Sequence, residues 1–185
     1  MIVVQRALVG LVVVVASVFG FADKPTGVTI KGVHLCCGSC SSGAQAALQD
    51  VKGIAKIGID RNTKLISFDA DSKDAANAAL KALAEDGFYG TATFGKEELK
   101  WPDSGAKKGE KVPTIVIEGV HLCCGSCVTG VKEALEKVAG ASEIDVDRNA
   151  EKVTLKGKEM DEVAVIAALN KGGFFGTIQH EEKKK

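Results

Sequence analysis

Soft, ionisable side chains are gathered at two places in this chain. The heptapeptide His-Leu-Cys-Cys-Gly-Ser-Cys runs from His34 to Cys40 and recurs, letter for letter, from His121 to Cys127. The two copies hold all six cysteines and two of the three histidines. Each copy carries an odd number of cysteines, which cannot all pair within it. When a helix begins at a Cys-x-x-Cys spacing, its two sulfurs converge, as expected for Cys37 with Cys40 and for Cys124 with Cys127. Two converging thiolates can ligate a metal ion or work as a redox pair.

The elements that position these residues repeat along with them. Gly32-Val33-His34 matches Gly119-Val120-His121, Val51-Lys52-Gly53 matches Val138-Ala139-Gly140, and Asp60-Arg61-Asn62 matches Asp147-Arg148-Asn149. After a one-residue deletion, Gly87-Phe88-Tyr89-Gly90-Thr91 matches Gly173-Phe174-Phe175-Gly176-Thr177. The chain of 185 residues therefore reads as a tandem duplication.

Each copy has the same predicted order of elements. A β-rich stretch (Val28 to Ile30; Thr114 to Ile117) leads into the septet. Helical spacing follows, from Ser39 to about Asp50 and from Ser126 to about Val138, with Cys40 or Cys127 in the first turn. Gly53 and Gly140 are placed as the glycines that end those helices. Alternating segments Ile57 to Asp60 and Leu65 to Phe68 flank a hairpin turn, as do Ile144 to Asp147 and Val153 to Leu155. A second helix is expected from Ser72 to Asp86, and in the other copy from Glu159 to Lys171. Phe88 to Phe94 and Phe174 to Ile178 close each copy. The order βαββαβ is the ferredoxin-like plan, so the fold class is α+β with two tandem ferredoxin-like domains.

The resulting division is a signal segment at 1–22, a first domain at 23–94, a linker at 95–111, a second domain at 112–180 and a tail at 181–185. Arg6 precedes an apolar run from Ala7 to Phe21, and Gly20 and Ala22 supply small residues before Asp23, the pattern of a cleaved export signal. The expected location is periplasmic or secreted, with no stable membrane insertion after cleavage. The linker carries no periodicity; its Trp101 either docks on a neighbouring domain or lies exposed. His180 is read as a bystander.

Lys+Arg and Asp+Glu both number 24, so no charge excess points to nucleic acid. Neither a carboxylate pair, a glycine-rich phosphate loop nor a nucleophile with an evident base stands out, so the protein is not expected to be an enzyme. A thiol–disulfide redox protein of the cell envelope is the competing reading, since an exported dithiol meets an oxidising compartment.

Residue by residue, both copies resemble the heavy-metal-associated domains of small copper chaperones, of the N-terminal regions of copper and zinc P-type ATPases, and of periplasmic mercuric-ion-binding proteins. That family carries Gly-Met-Thr-Cys-x-x-Cys between the first strand and first helix of a βαββαβ fold. The resemblance implies metal binding at Cys37, Cys40, Cys124 and Cys127. It also implies a packing role for Leu35 and Leu122, and an aromatic near the metal loop at Phe88 and Phe174. Two departures stand out: Cys36 and Cys123 replace Thr, and His34 and His121 replace Gly. They enlarge the candidate ligand set to three sulfurs and an imidazole per copy. Cu(I), satisfied by two or three thiolates, is the favoured metal, with Zn(II) and Hg(II) as the others. The implied partner is a metal donor or acceptor protein met by transient contact. The positive end of the first helix would favour the ligating thiolates.

Overall fold

The computed structural model describes residues 25–180; the expected signal segment and tail lie outside them. The first copy consists of β1 (Thr26–Lys31), α1 (Gly38–Gln49), β2 (Ile54–Asp60), β3 (Leu65–Ala70), α2 (Lys73–Glu85) and β4 (Thr91–Phe94), followed by a short β5 (Glu97–Glu98). The second consists of β6 (Lys111–Glu118), α3 (Gly125–Leu135), β7 (Ala141–Asp147), β8 (Lys152–Asp161), α4 (Glu162–Lys171) and β9 (Thr177–Gln179). The sheets run in the orders β2-β3-β1-β4-β5 and β7-β8-β6-β9, with every pairing antiparallel. In each copy the first strand is central and the first and second helices pack together. This is the ferredoxin-like α+β fold, present twice.

Local chemistry explains the hairpins. Asp60 accepts from the Asn62 N–H at 2.8 Å and from the Thr63 hydroxyl at 2.8 Å, and Lys64 takes a φ of 53°. Asp147 does the same with the N–H groups of Asn149 and Ala150 at 2.9 and 3.0 Å, with Glu151 at a φ of 49°. An Asp that bonds its own backbone two residues on initiates such turns.

Alternate strand residues then face the core. Val28, Ile30, Ile66 and Phe68 are buried with Ala44, Leu48, Leu80 and Leu83 from the helices. Ile115, Ile117, Val153 and Leu155 are buried with Val131, Leu135, Val165 and Leu169 in the second copy. Each large apolar side chain so buried contributes about 1.5–3 kcal/mol. Leu35 and Leu122 are buried beneath their loops.

Several predicted boundaries move, each for a visible reason. α4 begins at Glu162 instead of Glu159 because β8 runs on to pair Met160 with Val112, and Asp161 caps the helix by accepting from the Ala164 N–H at 2.9 Å. Gly53 and Gly140, at φ of 78° and 86°, lie in the turns leading into β2 and β7 and do not directly follow the helices. The last strands start only at Thr91 and Thr177, since Phe88 and Phe174 bridge to each other across the two copies.

The linker is also more ordered than its composition suggests. β5 folds back on β4 after Gly95, and Leu99 is buried. Trp101 docks: its Nε1–H donates to the Gly90 carbonyl at 2.7 Å, and its ring lies 5.0 Å from Tyr89 and 6.3 Å from Phe175, one residue from each copy. Further along, the Ser104 carbonyl accepts from the Ile178 N–H at 2.8 Å, and the buried carboxylate of Glu162 accepts from the Lys107 N–H at 2.8 Å. His180 joins this arrangement, contacting the Gly105 carbonyl at 2.8 Å and Glu162 at 3.7 Å, away from the cysteines.

Together these contacts hold the copies face to face. Phe175 donates its N–H to the Gly87 carbonyl at 2.8 Å, and the Gly173 carbonyl accepts from the N–H groups of His34 and Tyr89, both at 3.2 Å. No helix among the described residues is long and apolar enough to cross a membrane.

Candidate metal centre

Each septet occupies the passage from a central strand into a helix. Cys37 and Cys124 are the residues preceding α1 and α3, both extended, with φ, ψ of −146°, 176° and −150°, 173°. Cys40 and Cys127 stand one turn into the helices and are fully buried. The Cys37 and Cys40 sulfurs are 3.7 Å apart, and those of Cys124 and Cys127 are also 3.7 Å apart. In each pair, therefore, the helix start brings the two sulfurs together.

The two septets face each other, so the six sulfurs form one group. Contacts between copies join Cys36 to Cys124 (3.5 Å) and Cys127 (3.6 Å), Cys123 to Cys37 (3.7 Å) and Cys40 (3.5 Å), and Cys40 to Cys127 (3.9 Å). Within copies, Cys36 meets Cys40 at 3.5 Å and Cys123 meets Cys127 at 3.6 Å. All six cysteines are free thiols.

The histidines flank this group in a crossed arrangement. His34 stacks on Phe174 with ring centroids 4.3 Å apart, and His121 stacks on Phe88 at 4.2 Å, so each ring rests on an aromatic of the other copy. The Nε2 atoms of both are buried without a hydrogen-bond partner. One nitrogen of His121 lies within 4.8 Å of the sulfurs of Cys40, Cys123 and Cys127, and one of His34 within that distance of Cys36 and Cys127. All eight sequence-predicted candidates thus meet at one interface. Phe88 and Phe174 reach the opposite copy's histidine, a crossing that the separate reading of each domain did not contain.

Electrostatics set Cys37 and Cys124 apart from Cys36, Cys123 and Cys127. The backbone N–H of Cys40 pulls the Cys37 thiol down to about 6, an attraction that falls short of a full capping hydrogen bond. The backbone N–H of Cys127 acts likewise on Cys124. These are the N-terminal ends of α1 and α3, where backbone N–H groups and the positive end of the helix dipole favour an anion. Burial pushes the Cys36, Cys123 and Cys127 thiols up, with crowding by the neighbouring sulfurs adding to the rise for Cys36. Burial, with Lys64 and His121 nearby, holds the His34 ring down to about 4, and burial lowers His121 too. Neutral imidazoles with a free nitrogen are competent ligands at neutral pH.

The donor set fits a soft ion, with thiolates foremost, imidazole second and no carboxylate in the groups that converge. Glycines permit the approach. A Cβ on Gly43 would stand 3.2 Å from the His121 Cε1, and one on Gly130 would stand 2.7 Å from the His34 Cε1. The same Gly at corresponding positions of both helices was a visible signal, though its reason lies in the partner copy.

Residues 114–175 match the family described as Heavy-metal-associated domain. Heavy metal-associated isoprenylated plant protein 31 of Arabidopsis thaliana is 30% identical over 60 residues, which is 32% of this chain and 43% of that protein. The match thus spans less than half of that relative's length. Among solved structures, oxidized MerP from Ralstonia metallidurans CH34 is 20% identical, with 36% of this chain and 96% of that chain covered and a TM-score of 0.34. The N-terminal soluble domains of Bacillus subtilis CopA are 15% identical, with 88% of this chain and 99% of that chain covered and a TM-score of 0.33. The chain accordingly contains a heavy-metal-associated domain at residues 114–175.

Proposed function

We propose that this protein is an exported binder of a soft metal ion, Cu(I) foremost, which it sequesters or hands over through Cys37, Cys40, Cys124 and Cys127. The observation that carries this reading is the convergence of six free thiols on one interface at the starts of two helices. Thiolates suit Cu(I) better than any hard cation, and two or three of them satisfy it. The role is binding and exchange, in which an incoming thiolate bonds the ion before the old one leaves. Its counterpart would be a donor or acceptor protein met transiently. The sequence of residues 1–22 supports export; N-terminal sequencing of the mature protein, expected to begin at Asp23, tests that part.

Zn(II) is the second reading, favoured by one group alone. Cys40, Cys123, Cys127 and a nitrogen of His121 lie within 4.8 Å of one another, a three-sulfur, one-nitrogen set of the kind zinc takes up as a tetrahedron.

Anaerobic reconstitution of the reduced protein followed by elemental analysis tests both. Cu(I) is expected near one ion per copy, and Cys37→Ser with Cys40→Ser should remove about half of it. Acid should release the metal, because protons compete for the same sulfurs. Unchanged stoichiometry in that variant would sink the assignment.

A further inference from the structure

The six sulfurs are not evenly connected. Cys36 stands 3.5 Å from Cys124 and 3.6 Å from Cys127, and the third side, Cys124 to Cys127, is 3.7 Å. Cys123 stands 3.5 Å from Cys40 and 3.7 Å from Cys37, and the third side, Cys37 to Cys40, is 3.7 Å. Each of these near-equilateral triangles draws two sulfurs from one copy and one from the other. The triangle within a single copy has two sides of that length. Cys36 to Cys40 and Cys37 to Cys40 are 3.5 and 3.7 Å, and the Cys36 and Cys37 sulfurs lie within 4.8 Å of each other. In the second copy Cys123–Cys127 and Cys124–Cys127 are 3.6 and 3.7 Å.

For each Cys-x-x-Cys pair, one sulfur of the facing copy closes all three sides at 3.5–3.7 Å, Cys123 on Cys37 and Cys40, and Cys36 on Cys124 and Cys127. Within a copy, Cys36 and Cys123 also reach Cys40 and Cys127, at 3.5 and 3.6 Å, which is where the two triangles meet.

We propose that each Cys-x-x-Cys pair takes its third thiolate from the other copy, giving two crossed sites, Cys37/Cys40/Cys123 and Cys124/Cys127/Cys36, each for one soft monovalent ion in trigonal coordination. The inference rests on the reading that these cysteines bind a soft metal. The centre of such a triangle lies about 2.1 Å from each corner, the side divided by the square root of three, close to the ~2.3 Å of a metal–thiolate bond. Every sulfur is used once, and the pseudo-twofold relation between the copies exchanges one site for the other. The two triangles face each other across Cys36–Cys40, Cys123–Cys127 and Cys40–Cys127 at 3.5, 3.6 and 3.9 Å, so the two ions are close neighbours. Because each site spans both copies, bound metal fastens the domains together.

Full-length variants that each keep three cysteines separate crossed from uncrossed ligation. Cys36→Ser/Cys124→Ser/Cys127→Ser retains the crossed set Cys37, Cys40 and Cys123. Cys37→Ser/Cys40→Ser/Cys123→Ser retains its mirror image. Cys123→Ser/Cys124→Ser/Cys127→Ser retains Cys36, Cys37 and Cys40, all of one copy. Each is loaded anaerobically with Cu(I), its sulfur shell counted by X-ray absorption, and its metal challenged with a Cu(I) chelator; circular dichroism checks that the folds agree. Both crossed variants should show three sulfurs and withstand about tenfold more chelator than the single-copy variant, which should show two; loss of a supporting group at a metal site typically costs 10–100-fold. A single-copy variant with three sulfurs and equal or better retention overturns crossed ligation. Equal retention on two sulfurs in all three overturns it too, while leaving soft-metal binding intact. Failure of the unmutated protein itself to take up Cu(I) overturns both.

Discussion

The imidazole of His34 lies on the ring of Phe174, a residue of the other copy, with centroids 4.3 Å apart and planes 27° from parallel. The mirror-related pair, His121 on Phe88, repeats it at 4.2 Å and 29°. Both phenylalanines are fully buried, so the stacks are part of the packed interior between the copies.

Removing one of these rings should therefore open the interface. Phe174→Ala and Phe88→Ala are each expected to cost about 3–5 kcal/mol, the usual range for a buried Phe→Ala change. Urea unfolding of the reduced, metal-free protein measures this. A loss below about 1 kcal/mol in both would show that the stacks do not carry the docking.

Gly173 and Gly32 form a matched pair of probes. Both have positive φ, 86° and 80°, so alanine is strained at either. A Cβ at Gly173 would also stand 2.5 Å from the Gly32 carbonyl oxygen and from the His34 nitrogen, whereas nothing lies within 4 Å of one at Gly32. Gly32→Ala should cost about 1 kcal/mol. Gly173→Ala should cost more and separate the copies, seen as a larger radius of gyration in small-angle X-ray scattering. Equal effects would mean that the close backbone approach is dispensable.

Trp101 is the sole tryptophan, and it contacts Tyr89 of one copy and Phe175 of the other. Its fluorescence should report docking directly, with Gly173→Ala shifting the emission to the red. Trp101→Phe keeps much of the ring packing but loses the bond to the Gly90 carbonyl, at a cost of about 1 kcal/mol. An emission maximum already that of a solvated indole in the unmutated protein would contradict the docked position.

Glu162 is buried, and its carboxylate accepts from the Lys107 N–H at the end of the linker. Glu162→Ala would leave that donor without its partner, for about 1–3 kcal/mol, while Glu162→Gln keeps an acceptor oxygen and should cost less. Thermal unfolding of the two variants decides; equal losses would point to charge as the requirement.

The repeat, the element order and the candidate ligands were legible because they depend on local signals. Asp60-Arg61-Asn62 makes its own turn, the helix at Gly38 sets the Cys37–Cys40 spacing, and strand alternation selects Ile30 and Ile66 for the core. The facing of the two copies was not legible, because its contacts join residues far apart in the chain. Phe88 and Phe174 fit a last strand by composition, yet they end in a bridge to each other. Cys36 and Cys123 could be named as extra thiols, but the direction of their sulfurs depends on a neighbour that only the tertiary fold supplies. Trp101 stood in a stretch without periodicity, and an aromatic there carries no mark of what it will touch.

The segment from Leu99 to Glu110, pinned at Trp101 and at Lys107, decides which second copy a first copy finds. The pairing surfaces are near-equivalent, so the first domain of one molecule has, in principle, a complement on every other molecule of its kind. A short tether holds its own complement at an effective concentration on the order of millimolar. Below that protein concentration closure within the chain prevails, and above it molecules would exchange arms into dimers and longer chains. Ordering of the tether shifts this crossover upward, so the linker guards the monomer against its own symmetry.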